Sequence, residues 1–297
     1  MKKTLCLLIA LALLTFCFVG CQKKAEQPTI SLEKITFSSP STASEEVSGS
    51  ALEDTSADVS ASEETSVSVE PEPQKITVST VEDIRQIPIL YVENFVKLDS
   101  FKSVTVGATN AIIEQSIDTL TLKRGDYAFT NSKSSSLLVN TEHTAYFHLD
   151  KVLYKDKDDT EYKTAEINAY LEVYGVYPIG KAIEGFVISE ETVLSVEKNP
   201  EKECSFIIKL DGEKAGGANK IQMKKYGSLE VYPTYKSAQL TVTMTEDFMP
   251  VTVELSTVYT VDYGFLGEIE CKQDYTVTYS QVNGEVSFPE EENLNKI

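Results

Sequence analysis

Alternation is the most regular signal along this chain. Leu240, Val242 and Met244 alternate with Thr241 and Thr243, and Val251, Val253, Leu255, Thr257, Tyr259 and Val261 alternate with Thr252, Glu254, Ser256 and Thr260. Tyr275, Val277 and Tyr279 alternate with Thr276 and Thr278. A period of two carried by β-branched and aromatic residues predicts strands buried on one face. Residues 246–250 and 263–267 read as the turns of a meander. Earlier strands are expected at 102–109, 117–122, 127–130, 137–140, 145–154, 185–189, 192–197, 205–210 and 229–235.

Two helices interrupt them. Ile167, Tyr170, Leu171 and Tyr174 fall at i, i+3, i+4 and i+7, with Thr164 as a cap, Gly175 as terminator and Pro178 beyond. A second helix is expected over 211–226, ending at Gly227. Gly216 and Gly217 weaken it by ~1 kcal/mol each relative to Ala. A third, from Ser79 toward Asp99, opens on Ser79-x-x-Glu82, and Pro88 is expected to break or kink it. The fold class is α+β: a mostly antiparallel sheet with a few short helices.

The first 75 residues follow other rules. Lys2 and Lys3 precede an apolar run from Leu5 to Val19, broken only by Thr15 and followed by Gly20-Cys21. This is the plan of a secretory signal, and it is short of the ~20 apolar residues of a membrane span. From Ala25 to Gln74, 17 of 50 residues are Ser or Thr and Phe37 is the only aromatic. Such a segment buries too little apolar surface to offset the entropy of ordering, and it reads as a disordered tether. All 15 Tyr fall after residue 90. The expected organisation is a leader over 1–20, a tether over 21–75 and one β-rich domain over 76–297, whose acidic tail from Glu290 frays.

Charge narrows the partners. Lys plus Arg total 27 against 46 Asp plus Glu, a net −19. Without cations to displace counterions, nucleic acid is excluded as a partner. With 2 His and no Trp, imidazole chemistry is poorly supplied.

Two resemblances add to this reading. Phe18-Val19-Gly20-Cys21 resembles the lipobox of bacterial lipoproteins, with Phe18 where Leu is usual. It implies lipidation at Cys21, export, and anchoring to the cell membrane. The body resembles the LolA/LppX-like lipoproteins, including uncharacterised Gram-positive relatives, in "MKKYGSLEVYP" (223–233), "LTVTMTEDFMPVTVEL" (240–255) and "VNGEVSFPEE" (282–291). That resemblance implies an open, strongly curved half-barrel sheet with helices on its concave face and a lipid or other hydrophobic ligand between. It transfers no ligand contact residue by residue.

Candidate chemistry is sparse. His143 and His148, five apart on a strand, face opposite ways, which is poor for a shared metal. The oxygen-rich run 156–161 lacks the Gly and Glu of a calcium loop and reads as a solvated turn. No GxSxG, HExxH, GxxxxGK[ST] or GxGxxG occurs, and the glycines at 212–217 lack a phosphate-loop ending. No enzyme, cofactor or metal is expected. Lys220, Lys224 and Lys225 form one basic cluster, read as a solvated helix face or a site for an anionic head group. Ile167, Tyr170, Leu171 and Tyr174, with Tyr177 just beyond, are either core under the first helix or the lid of a ligand cavity. Cys204 and Cys271 form either a disulfide, in a compartment that permits one, or two small buried apolar side chains. The function expected is binding of a hydrophobic ligand at the cell surface. The alternative is an envelope interaction or sensor module without a small ligand.

Overall fold

Eleven strands pair in one antiparallel sheet, in the order β6-β5-β4-β3-β2-β1-β13-β12-β11-β10-β9. They are β1 (Ser100–Asn110), β2 (Glu114–Arg124), β3 (Tyr127–Ser135), β4 (Asn140–His148), β5 (Lys151–Asp156), β6 (Lys163–Glu166), β9 (Val193–Lys198), β10 (Ser205–Leu210), β11 (Thr234–Met244), β12 (Pro250–Asp262) and β13 (Glu268–Ser280). A separate hairpin joins β7 (Ala182–Ile183) to β8 (Phe186–Val187). This computed structural model describes residues 76–137, 140–175, 178, 182–227, 229–264 and 267–297. The leader, Cys21, the tether and Tyr177 lie outside the described residues.

The sheet is two meanders, β1–β6 and β9–β13, joined where β1 pairs β13 from Lys102↔Ser280 to Asn110↔Lys272. The edge strands β6 and β9 do not pair, so the sheet is open. Registers fix the two faces. Phe101, Ser103 and Thr105 lie on the inner face, level with Lys123, Thr121 and Thr119 on one side. On the other side Ser103 and Thr105 meet Tyr279 and Val277.

The helices cover this inner face. Helix α1 (Ile87–Phe95) buries Ile87, Tyr91, Val92 and Phe95 in the main apolar core with Phe206, Leu240, Leu255 and Val277. Helix α2 (Ile167–Tyr174) buries Ile167, Tyr170, Leu171 and Tyr174 against Ala128, Ala145, Phe147 and Val152. Helix α3 (Gly212–Ala215) lies on β11, where a side chain at Gly212 would strike Tyr235, and α4 (Gly217–Tyr226) continues from it. Burying an apolar side chain contributes ~1.5–3 kcal/mol at most, so each helix is held mainly by its inward stripe.

A single contact reports how the sheet bends. Strands β5 and β11 are seven steps apart in the sheet order. Flat, that is ~34 Å at the usual strand spacing. Yet α2, seated on β5, touches α4: a Cβ on Gly175 would meet Ala218 O at 2.3 Å and Ile221 Cβ at 2.8 Å. Gly175 also needs its φ of 75°, the left-handed cap that ends α2. The two wings can meet only over a sheet that curls toward its inner face. The fold class read from the sequence is the one present: open, mostly antiparallel, with short helices.

Several local expectations need correction. The single strand expected over 145–154 turns back at Leu149, φ 51°, where no Gly or Asn signals a turn. Of the strand expected over 137–140, Leu137 lies in a bend, β4 begins at Asn140, and residues 138–139 lie outside the described residues. Pro88 does not break a helix but sits in the first turn of α1, where its missing N–H costs nothing. Glu166, not Thr164, precedes α2. Gly216 divides the second helix into α3 and α4.

The acidic tail does not fray. Val286, Phe288, Leu294 and Ile297 pack on the outer face over Leu120, Leu122, Phe129, Tyr146 and Leu153. Arg124 pairs with Glu291 at 3.0 Å and stacks on Phe288, and Tyr146 OH donates to Pro289 O at 2.9 Å.

Candidate functional site

Between the two apolar clusters the inner face changes character. Ser103, Thr105 and Thr130 are buried, while Ile117, Thr119, Thr121 and Ser132 are only half-buried. This hydroxyl-rich trough follows β1–β3, and Thr119 Oγ1 donates to Ser132 Oγ at 3.1 Å across it. The threonines belong to period-two strands, so the sequence pattern that builds the sheet also lines the trough.

One wall stands under α2. His143, 3% exposed, reaches Asp156 through Nδ1 at 2.9 Å and Tyr170 OH through Nε2 at 2.7 Å. A carboxylate only accepts, so Nδ1–H donates to Asp156 and Nε2 accepts from the tyrosine. Tyr174 OH donates to the second Asp156 oxygen at 2.9 Å, and its ring stacks on His143 at 4.4 Å. Burial pushes the His143 pKa below its ordinary value, against the opposing pull of Asp156. His148 lies on the opposite face, stacked on Tyr127 at 4.1 Å.

The other wall is the turn of the β7–β8 hairpin. Glu184 and Gly185 have φ of 52° and 80°, both positive as a type I′ turn requires. Glu184 is half-buried as a residue, and its carboxyl meets the inner face through a hydrogen bond from Tyr279. Burial raises that carboxyl to about 7, opposed by a hydrogen bond from Tyr279. Tyr275 OH donates to the Glu184 backbone oxygen at 3.5 Å and Asn219 Nδ2 to the same oxygen at 3.3 Å. Tyr91, Tyr275 and Tyr279 all feel the carboxylate, and with their burial it raises their pKa values. Gly107 on β1 has no room for a Cβ, which would fall 2.3 Å from that of Tyr275.

The sequence candidates divide accordingly. Ile167, Tyr170, Leu171 and Tyr174 are together, as core under α2, with the two tyrosines also closing the His143 network. The lysine trio is not one solvated face. Lys220 is buried, paired with Glu213 at 2.5 Å, while Lys224 lies over Tyr232 and Lys225 over Tyr174. The run 156–161 is more than a solvated turn, since Asp156 serves the His143 network and Asp159 pairs with Lys163 at 2.6 Å. Cys204 and Cys271 are both free. Cys204 lies level with Met244, whose strand partner is Pro250, at one end of the strands. Cys271 pairs with Tyr259 near the other end, seven residues above Thr278, ~23 Å along the strand. No disulfide spans that distance.

Sequence reasoning missed Glu184, Tyr91, Gln273 and Thr257. A Glu-Gly pair between short apolar segments is an ordinary polar turn signal, and only the register turns the carboxyl inward. Among the described residues no group of three or more His, Cys, Asp or Glu is placed to hold a metal, and no helix is long and apolar enough to cross a membrane. An open hollow of about 780 Å³ lies along residues 76–90, with Glu82 and Asp83 among its lining side chains.

No family model matches the chain, and no curated protein matches it. Among solved structures it is similar to LprF from Mycobacterium bovis, at 10% identity over 69% of this chain and 95% of that one, with a TM-score of 0.31. It is also similar to a LolA superfamily protein from Nitrosomonas europaea, at 12% identity over 71% of this chain and 97% of that one, with a TM-score of 0.28. Identities this low and superpositions this loose leave function to be argued from the chain's own residues.

Proposed function

We propose that this chain is a lipid-anchored extracytoplasmic binding protein, held through Cys21, whose curled sheet receives an amphipathic ligand on its inner face. The carrying observation is the meeting of α2 and α4 across the sheet, with Ile117, Thr119, Thr121 and Ser132 on the inner face of β2 and β3 left half-buried. Aromatic walls and a hydroxyl floor suit a molecule with an apolar body and a polar end. The role is capture and release, and no reaction is assigned. Titration of the full-length protein with the apolar fluorophore N-phenyl-1-naphthylamine tests it. Binding is expected, with at least ten-fold loss in Thr121→Trp, which fills the trough, at an unchanged melting temperature. Absent binding, or binding indifferent to the tryptophan, overturns the reading.

A second reading, docking to another envelope protein, is favoured by a different observation. Ile112, Leu137, Val231 and Tyr263 are 63%, 90%, 47% and 39% exposed. All four lie in connections at the end of the sheet where β1 and β3 end and β11 and β13 begin. Turns are ordinarily polar. Site-specific photocrosslinking from position 137 in intact cells should then trap one discrete partner, and its absence counts against this second reading.

A further inference from the structure

Glu184 is costly to the fold twice over. A non-glycine residue at positive φ is strained, and Glu184 has φ 52°. A buried carboxylate also needs a counter-charge, and among the described residues Glu184 has none: burial and the Tyr279 hydrogen bond account for its behaviour, and no described Lys or Arg contributes. The nearby described cations are committed elsewhere. Lys220 is held by Glu213 and Lys123 by the Leu98 carbonyl. Strain and an unbalanced buried charge on one side chain point to function rather than to stability.

Its surroundings share the imbalance. Among the described residues the buried side-chain polar atoms without a hydrogen-bond partner are Tyr91 OH, Thr257 Oγ1 and Gln273 Oε1. Tyr91 is 1% exposed, Thr257 0% and Gln273 8%. All three lie on the Glu184 side of the inner face. Tyr91 senses the carboxylate directly. Gln273 is the next inward residue along β13 from Tyr275, and Thr257 is its cross-strand partner. Gln273 Oε1 and the Glu184 carboxylate only accept, the two hydroxyls can accept as well as donate, and Tyr91, Tyr275 and Tyr279 stand around the carboxyl. A cation carrying N–H or polarised C–H groups satisfies all of these features: it neutralises the carboxylate, donates to free acceptors, and lies on negative ring faces.

We propose that Glu184, walled by Tyr91, Tyr275 and Tyr279, binds a small organic ammonium group. This rests on the reading of the inner face as a ligand site, and it names the polar end of the ligand. Ser103 and Thr105 connect the cluster sideways to the half-buried Thr121 and Thr119, so an ammonium at Glu184 leaves its attached chain in the trough. The same chemistry is offered by a free amine and by the head group of a lipid.

The test compares choline with its uncharged isostere 3,3-dimethyl-1-butanol on the full-length protein, read by tyrosine fluorescence and thermal shift. Choline is expected to bind at least ten-fold more tightly, and that preference should fall to near unity in Glu184→Gln. Circular dichroism of the variant checks that it remains folded, and Glu184→Asp should keep part of the preference. Equal binding of the two probes, no binding of choline, or a preference that survives Glu184→Gln overturns the proposal. Diheptanoylphosphatidylcholine against diheptanoylphosphatidylglycerol forms the second arm. Preference for the choline lipid well beyond that for choline itself identifies a lipid head group, and parity identifies a free amine. N-phenyl-1-naphthylamine binding to the wild-type protein, measured alongside, separates the two failures: fluorophore bound with choline unbound overturns the cation site alone, and neither bound overturns both.

Discussion

Two buried acid–aromatic clusters lie on one inner face, and they are built in opposite ways. Under α2, every polar atom of the His143 cluster is answered: Asp156 takes the Nδ1 proton, Tyr170 fills Nε2, and Tyr174 takes the second carboxylate oxygen. Beneath the β7–β8 turn, Glu184 has tyrosines around it but no cation among the described residues, and Tyr91 OH nearby has no partner among them. Buried networks that are fully satisfied rigidify a fold, and partly satisfied ones cost it stability. The difference separates a staple from a site: the first cluster fastens α2 to β4 and β5, the second is complete only with something bound.

The largest expected effect strikes the staple. His143→Ala leaves Tyr170 OH without its partner in a buried setting, takes one donor from the part-exposed Asp156, and empties the space of a ring stacked on Tyr174, and should cost ~3 kcal/mol. In a domain of this size the melting temperature should fall by roughly 6–12 °C. A loss under 1 kcal/mol in urea denaturation would erase the contrast between the clusters.

The clusters should also respond to pH with opposite signs. Burial lowers the His143 pKa, so folding favours its neutral form. Its contribution is present above the ordinary value of 6.5 and is lost as pH falls through the lowered one. Glu184 is raised from 4.5 to about 7, so folding favours its protonated form. That contribution is complete below 4.5 and lost as pH rises through about 7. Glu184→Gln should therefore be the more stable protein at pH 8, by up to about 3 kcal/mol, with the advantage vanishing near pH 4.5. Urea denaturation of both proteins across that range measures it. A constant difference at every pH would show that the carboxyl is solvated.

How much of this was legible in the sequence follows from which signals are local. Period two in residues 240–261 and 275–279 predicts strands β11–β13, and the spacing of Ile167, Tyr170, Leu171 and Tyr174 with Gly175 predicts α2. The pairing of β1 with β13 joins residues some 170 apart, and no local pattern encodes it. That pairing sets which threonines lie beside Tyr275, Val277 and Tyr279 on the inner face. The tail was misread for a related reason: Val286 and Phe288 are sparse apolar positions among acids, and their partners lie on β2–β5. His143 and His148 were legible as facing apart, but the Asp156 and Tyr170 partners of His143 come from strand register and helix docking.

The smallest effect is the sharpest comparison, because it removes the same atom from each cluster. Tyr170→Phe deletes the hydroxyl that fills His143 Nε2 and should cost ~1–1.5 kcal/mol, since a buried acceptor loses its donor. Tyr91→Phe deletes a hydroxyl that is buried and unpartnered. Nothing is left unsatisfied by its loss, and the ring keeps its place between Phe95 and the core. The change should lie within ~0.5 kcal/mol of zero and can be slightly stabilising, because an unanswered hydroxyl is costly to bury. Parallel urea denaturation of the two variants at pH 7 decides it. If Tyr91→Phe costs as much as Tyr170→Phe, the Tyr91 hydroxyl has a partner in the folded protein, and the cluster around Glu184 is a second staple rather than an unfilled site.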